Sequence, residues 1–260
     1  MHDSENPYAS ARYASEHVEE GLEPPVAGVP FASGLGRARA AVIAFCCMLV
    51  TDLAAIVHAV VFLGLLEQLN QGVDVSEETF LASDTIYGGI GILQLLAYLA
   101  TVVTFLMWFH RAHRNLPALG ARSLKYTPGW AVGYFFIPIA NLFIPCRVAY
   151  EIWNGSHPET IGRTFTEGEN APGASLVGLW WGAFIVGNVL TTLFTRASVS
   201  LQTMETAGIE EFKYSALCDI VGTGATIPAA LLAITLIRRI DRNQRQRQNK
   251  IAGVVEGEWA

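Results

Sequence analysis

Charged residues are scarce in this chain of 260 residues. Asp, Glu, Lys and Arg make up 15% of it, whereas 52% of the residues are hydrophobic. A soluble globular domain carries about a quarter charged residues. The apolar residues are concentrated in blocks long enough to cross a hydrocarbon core of about 30 Å, which takes roughly 20 helical residues. The composition therefore excludes an ordinary soluble domain and predicts an all-α, polytopic membrane helical bundle.

Motifs of enzyme chemistry are also lacking. The sequence contains no Walker loop, nucleophile elbow, HExxH motif or dinucleotide fingerprint, so no enzyme class has a positive signal. The cysteines form no CxxC pair, and no cluster has metal-ligand spacing. His58 and His110 fall near opposite ends of their apolar segments, so they cannot share one haem. We expect no cofactor and no metal, and a net charge of −6 gives no indication of nucleic-acid binding.

The first 36 residues have no apolar run that could act as a cleavable signal peptide. They are acidic and contain several prolines, which predicts a disordered tail over residues 1–36. We therefore expect the first membrane span to serve as its own insertion signal.

Long apolar segments predict four membrane spans. They cover residues 38–66, 85–109, 175–194 and 214–237. These spans define a membrane domain over residues 37–240, followed by a basic tail over residues 241–260. Gly178 and Gly182 in the third span have the small-xxx-small spacing that allows close helix packing, either within the chain or between copies.

A further apolar stretch, residues 127–156, is interrupted by prolines. Thr127 can cap a helix that Pro128 begins, but Pro138 and Pro145 each remove a backbone donor. A helix over residues 128–140 rises about 20 Å, which is too short to cross the hydrocarbon core. Residues 142–154 then form an amphipathic pattern. We call residues 127–156 the broken element and predict a re-entrant or interfacial helix; the alternative is a kinked fifth span.

The distribution of Lys and Arg favours four spans. If the broken element does not cross, 15 of the 17 basic residues lie on the cytoplasmic side together with both termini. If it crosses, only nine do. Because Lys and Arg are retained preferentially in cytoplasmic loops, we expect both termini to be cytoplasmic.

The stretch RAHRNLPALG, followed by TPGWAVGYFFIPIANLFIPCRVAYEIWNGS, resembles the core motif of the DUF4328 family of bacterial membrane proteins. The pattern is an Arg-x-x-x-Asn pair, a Trp after a Pro, an aromatic run into Phe-Ile-Pro-x-x-Asn, a further Pro and a closing Glu-Ile-Trp. The positions are Arg111, Asn115, Trp130, Phe136, Ile137, Pro138, Asn141, Pro145, Glu151, Ile152 and Trp153. The resemblance is strongest over residues 105–156. It implies a multi-pass protein of the bacterial inner membrane and implies no reaction, ligand or catalytic residue.

Polar residues around the broken element form the first candidate site. Half-helix ends offer free backbone groups that bind ions or substrates in some transporters. The candidate residues are Arg111, Asn115, Trp130, Pro138, Asn141, Arg147, Glu151 and Trp153. In the alternative interpretation Arg147 forms an ion pair with Glu151 at i, i+4, and the Asn141 side chain hydrogen-bonds to backbone groups that the prolines leave unpaired.

Polar residues within the spans form the second candidate site. Counted at about 1.5 Å per residue, Asp52, Gln94, Asn188 and Asp219 all fall in the outer half of the membrane. Intramembrane acids often mark ion or proton paths. The alternative is that protonated or hydrogen-bonded acids hold the helices together.

The sequence favours a non-enzymatic integral membrane protein. We expect a scaffold, sensor or accessory subunit that binds a protein or lipid, with the lipid bilayer and another membrane protein or a second copy as its partners. A small transporter or channel that uses the intramembrane acids is the competing hypothesis.

Overall fold

A computed structural model describes residues 30–122, 124–161, 169–204 and 208–257. Within those ranges the regular structure is helical and contains no β-strand. The α-helices are α1 (Leu35–Asn70), α2 (Glu77–Arg114), α3 (Pro128–Gly133), α4 (Ile144–Ser156), α5 (Ser175–Gln202), α6 (Ile209–Gly224) and α7 (Ile227–Gly257). Three-residue 3-10 turns occur at Pro117–Leu119, Tyr134–Phe136 and Ala140–Leu142. The predicted all-α fold is confirmed. Most of the predicted tail, residues 1–29, lies outside the described residues.

Four helical segments are long and apolar enough to cross a membrane. They are Leu35–Asn70, Glu77–Arg114, Ser175–Gln202 and Ile209–Gly253, the last made of α6 and most of α7. The prediction of an all-α polytopic bundle is therefore confirmed, with four helical segments as candidate spans. The helices run past the boundaries expected from hydropathy because backbone hydrogen bonding continues into polar residues. Only a short turn separates α1 from α2, with Gly72 at φ 79°, a conformation that glycine adopts without strain.

The chain divides into two compact units. The first, which we call the membrane unit, comprises residues 36–108 and 175–237. Its helices α5 and α6 approach closely: a β-carbon on Gly187 would stand 2.7 Å from the carbonyl oxygen of Ala225. Thr191 also donates a hydrogen bond of 2.7 Å to the carbonyl oxygen of Gly222. The interruption between α6 and α7, which precedes Pro228, thus packs directly on α5.

Within the described part of this chain Gly182 makes no close helix contact, which is one of the two possibilities that the sequence left open. A β-carbon at this position would meet no described atom within 4 Å, and the residue is exposed. On α5 the close approach is instead at Gly187, about one and a half turns further along the helix.

The second unit, which we call the polar unit, comprises residues 30–35, 109–174 and 238–257 as far as these are described. Here the broken element folds back on itself, because α3 contacts α4 and its two 3-10 turns contact each other. One face of α4, which includes Val148, Ala149 and Ile152, is fully buried. This burial agrees with the predicted amphipathic pattern.

Short turns reduce the number of backbone groups that the prolines would leave unpaired. Ile137 N donates to Tyr134 O at 3.5 Å, so the carbonyl that Pro138 deprives of a helical partner takes part in a 3-10 turn. Asn141 N donates to Ile137 O at 2.7 Å, and Phe143 N to Ala140 O at 3.1 Å. The chain therefore reverses between Pro138 and Pro145 with local backbone bonds.

Candidate functional site

The polar unit has a hydrogen-bonded interior centred on Asn115 and Gln244. Asn115 Nδ2 donates to Gln244 Oε1 at 3.1 Å and to the carbonyl oxygen of Ala32 at 2.9 Å. Gln244 Nε2 donates to Ala112 O at 2.8 Å and to Ser156 Oγ at 3.0 Å. The three side chains of this network, Asn115, Gln244 and Ser156, are all buried. Two buried amides therefore link the N-terminal segment, the end of α2, α4 and the C-terminal helix.

Arg247 is a buried cation one turn beyond Gln244. Its Nε donates to Leu119 O at 2.7 Å, and one terminal nitrogen donates to His157 O at 2.8 Å and to Thr160 Oγ1 at 2.7 Å. Arg247 is only 2% exposed. Among the described residues, no carboxylate pairs with it. Arg247 thus holds the chain near residues 119 and 157–160 against α7.

Glu151 is bonded to His113 and not to Arg147. Glu151 Oε2 lies 2.9 Å from His113 Nε2, and Glu151 Oε1 accepts from the backbone N of Lys125 at 2.6 Å. His113 is fully buried, and its Nδ1 has no partner within the described part of the chain. Arg147 is exposed. Glu151 therefore fastens α4 to the end of α2 and to the segment that leads into α3.

The remaining predicted residues of this site occupy different surroundings. Trp153 is buried, and its Nε1 donates to Pro172 O at 3.2 Å. Arg111 lies in the last turn of α2, with Cγ 3.7 Å from the position of a β-carbon on Gly34. Trp130 and Pro138 are exposed on the broken element. Asn141 Oδ1 is buried and, among the described residues, has no donor.

Two pairs account for most of the predicted intramembrane cluster. Gln94 Nε2 donates to Asp52 Oδ1 at 3.0 Å, and the hydroxyl of Tyr87 donates to Asp219 Oδ2 at 3.4 Å. Asp52 is buried. Asn188 is exposed, and its Nδ2 donates to Phe184 O in its own helix at 2.7 Å. The structure thus joins Asp52 with Gln94 and adds Tyr87 as the partner of Asp219.

Comparison of the sequence with models of protein families gives a match. A family model described as "Domain of unknown function (DUF4328)" matches residues 71–242. The chain belongs to the DUF4328 family. The matched region of this DUF4328 protein begins after α1 and extends into α7, so it is wider than the resemblance over residues 105–156. No curated protein and no solved structure matches the chain.

The positions of the DUF4328 motif divide by location in this chain. Asn115, Glu151, Ile152 and Trp153 lie in the interior of the polar unit, where they bond or pack between segments. Trp130, Phe136, Ile137 and Pro138 lie on the exposed part of the broken element, whereas Pro145 is buried at the start of α4. Within the described ranges, no group of three His, Cys, Asp or Glu residues is placed to hold a metal ion.

Sequence reasoning missed the residues contributed by α7. The basic segment was expected to be a tail, yet Asp241, Gln244 and Arg247 are buried there. A signal was present: Ile240, Gln244 and Arg247 recur at i, i+4 and i+7, which places them on one helical face. His113 was missed because its partner Glu151 is 38 residues away.

Proposed function

We propose that this DUF4328 protein is a non-enzymatic membrane scaffold or accessory subunit that binds another protein or lipid. The main support is that buried polar and charged side chains are engaged in hydrogen bonds within the protein. Asn115, Gln244 and Arg247 each hold backbone or side-chain groups of distant segments. Asp52 is hydrogen-bonded to Gln94 between two helices. Such bonds stabilise an architecture, since an unpaired buried group costs about 1–3 kcal/mol.

The hydrogen bonds of the polar unit support a four-span topology. Asn115 donates hydrogen bonds both to Ala32 and to Gln244. The three residues therefore belong on one side of the membrane. Between Asn115 and Gln244 the chain contains α5 and the helical segment of α6 and α7, which are two apolar crossings. A third crossing by the broken element would put Asn115 and Gln244 on opposite sides.

The charge distribution supports a cytoplasmic location for the polar unit. Six of the 17 basic residues follow Ile237, and four more lie between residues 111 and 125. By the positive-inside bias, both termini are then cytoplasmic in a bacterial inner membrane. In this orientation the polar unit is the surface available to a cytoplasmic or membrane partner, or to a second copy.

One observation favours transport as a second candidate function. Asp219 is partly exposed in α6, and the bond from Tyr87 to this carboxylate is long, at 3.4 Å. Tyr87 in turn stacks on His58, with ring centroids 5.4 Å apart. These contacts form a chain of three titratable side chains, Asp219, Tyr87 and His58, each from a different helix. Titratable side chains within membrane helices are found along proton paths.

A flux measurement on purified protein in vesicles distinguishes the two functions. Under the scaffold proposal, wild-type vesicles hold a proton gradient as long as empty vesicles do. The double variant Asp52→Asn, Asp219→Asn is expected to fold and to leave the gradient unchanged, because asparagine retains hydrogen-bonding capacity. Asn188→Ala is the control, since this residue bonds only to its own helix. A flux that is present in wild type and in Asn188→Ala, but is lost in the double variant, contradicts the scaffold proposal.

A further inference from the structure

The broken element and the two residues before it carry basic and aromatic side chains in an ordered arrangement. Lys125, just before the broken element, and Arg147, near the start of α4, are exposed. The aromatic residues that follow Lys125 along the chain are Tyr126, Trp130 and Tyr134. The ring centroids of Tyr126 and Tyr134 are 5.9 Å apart, and those of Trp130 and Tyr134 are 5.3 Å apart. The order along the chain is therefore basic and then aromatic, as at a membrane–water interface, where Trp and Tyr lie at the level of the headgroups.

The centre of the broken element is apolar and exposed. We call residues 136–143 the tip. Phe136 is 70% exposed, Ile139 78% and Phe143 61%. Residues in the membrane spans have comparable exposure, for example Ile43 at 62% and Leu96 at 58%. The tip therefore has the same chemistry and the same exposure as surfaces that contact lipid, and a water-facing surface rarely carries such a group of side chains.

The dimensions of the broken element fit one leaflet. The six residues of α3 rise about 9 Å, and the 3-10 turn Tyr134–Phe136 adds about 6 Å before the chain reverses. This length of about 15 Å is at most half of a hydrocarbon core of about 30 Å. Because Trp130 and Tyr134 within it are of the type that lies at the level of the headgroups, the tip reaches only the headgroup end of the acyl chains. The turns in the tip bond their own backbone, as between Asn141 N and Ile137 O. Such internal pairing is required of backbone that enters lipid.

The charge of the flanking residues is complementary to phospholipid phosphate. Glu151, which follows Arg147 by one helical turn, is bonded to His113 and to the backbone N of Lys125. The carboxylate nearest to Arg147 in sequence on α4 thus has other partners. Lys125 and Arg147, which flank the tip in sequence, are both exposed.

We propose that the broken element is a membrane-dipping hairpin that inserts residues 136–143 into one leaflet and binds phosphate groups of anionic phospholipid through Lys125 and Arg147. This inference rests on the four-span topology proposed above. It assigns the tip to lipid and leaves the rest of the polar unit available for a protein partner.

Quenching from within the lipid tests the insertion directly. Single cysteines replace Ile139, Leu96 or Asp74 in full-length protein whose native cysteines have been substituted, and each is labelled with a fluorophore in vesicles. At Ile139→Cys we expect strong quenching by a nitroxide near the headgroup end of the acyl chain. We expect weaker quenching by a nitroxide at the chain middle and little by aqueous iodide. Leu96→Cys is the control for a span, and Asp74→Cys is the control for an exposed turn.

Two outcomes contradict the inference. If Ile139→Cys is quenched by iodide as strongly as Asp74→Cys, the tip faces water. If it is protected from iodide and from both nitroxides, a protein surface covers it. In either case the four-span topology stands if probes at Ser123 and Thr166 label from the same side. If those two probes label from opposite sides, the topology itself fails.

The lipid preference has its own test. With brominated lipids in vesicles, phosphatidylglycerol is expected to quench the Ile139→Cys label more than phosphatidylcholine does. Lys125→Gln and Arg147→Gln are each expected to lower the local enrichment of phosphatidylglycerol by up to about fivefold. Arg196→Gln, at an exposed position in the last two turns of α5, is the matched control and is expected to change nothing. Equal quenching by the two lipids in the parent protein contradicts the assignment of phosphate binding.

Discussion

Asn115 at the end of α2 and Gln244 in α7 are 129 residues apart in sequence and are joined by a buried hydrogen bond of 3.1 Å. The same Gln244 also donates to Ala112 and Ser156. One amide side chain thus connects three segments that hydropathy alone assigns to separate loops and a tail. The C-terminal basic segment is therefore part of a packed unit.

Replacement of Gln244 is expected to destabilise the polar unit. Gln244→Ala removes the donor to Ala112 O and Ser156 Oγ and the acceptor of Asn115, and it leaves buried polar groups unpaired. We expect a loss of about 2–4 kcal/mol in the free energy of unfolding. Unfolding of the purified protein in detergent, followed by circular dichroism, measures it. Gln246→Ala is the matched control, because Gln246 is exposed on the same helix; equal effects of the two substitutions would contradict the role of Gln244.

Lysine is not expected to replace Arg247. The guanidinium reaches Leu119 O, His157 O and Thr160 Oγ1 together, whereas one ammonium group lacks this planar geometry. Arg247→Lys should cost about 1–3 kcal/mol and should speed amide hydrogen exchange at residues 119–121 and 157–161. Mass spectrometry measures this exchange. Exchange that is unchanged there, or that rises equally in the control Arg242→Lys, would show that Arg247 does not hold these segments.

Stability is expected to fall as the pH is lowered through the range of histidine titration. Burial lowers the pKa of His157 below its ordinary value of 6.5, so the unfolded chain takes up a proton there before the folded protein does. The contribution of His157 to stability is therefore present above pH 6.5 and is lost as the pH falls toward the folded-state pKa. Denaturant midpoints across this range should slope less in His157→Gln than in wild type. Identical slopes would remove His157 as the cause.

The close packing of α5 and α6 predicts different effects at two glycines of one helix. A β-carbon on Gly187 would meet Ala225 O at 2.7 Å, whereas one on Gly182 meets no described atom within 4 Å. Gly187→Ala should therefore destabilise the membrane unit by about 1–3 kcal/mol, and Gly182→Ala should have little effect on folding of the monomer. Unfolding in mixed micelles compares the two. A larger loss at Gly182 would indicate that this glycine packs against a second copy.

The membrane spans were predictable because each is a long run of mainly apolar residues, and the amphipathic face of α4 was predictable from its helical period. The break between α3 and α4 also followed from local chemistry, since Pro138 and Pro145 remove backbone donors wherever they occur. In each case the determining information lies within one segment.

The partners of polar residues were less predictable because they depend on segments far apart in sequence. Glu151 has a possible partner at i−4 in Arg147, yet it bonds His113, which the fold brings to 2.9 Å. Asn188 was predicted to belong to the intramembrane polar site, but its amide donates to the carbonyl of Phe184 in its own helix. This local bond lets an asparagine occupy an exposed face without an unpaired donor.

The most direct test of the account is the side of the membrane to which each segment belongs. In a cysteine-free background, single cysteines at Ser123, Thr166 and Asn249 are expected to react with a membrane-impermeant maleimide only from the cytoplasmic side. Cysteines at Asp74 and Ser200 are expected to react only from the outside. This result would mean that the broken element enters and leaves on one side. Labelling of Thr166 and Asn249 from the outside, with Ser123 labelled from the cytoplasm, would show that the broken element spans the membrane and would contradict the four-span account.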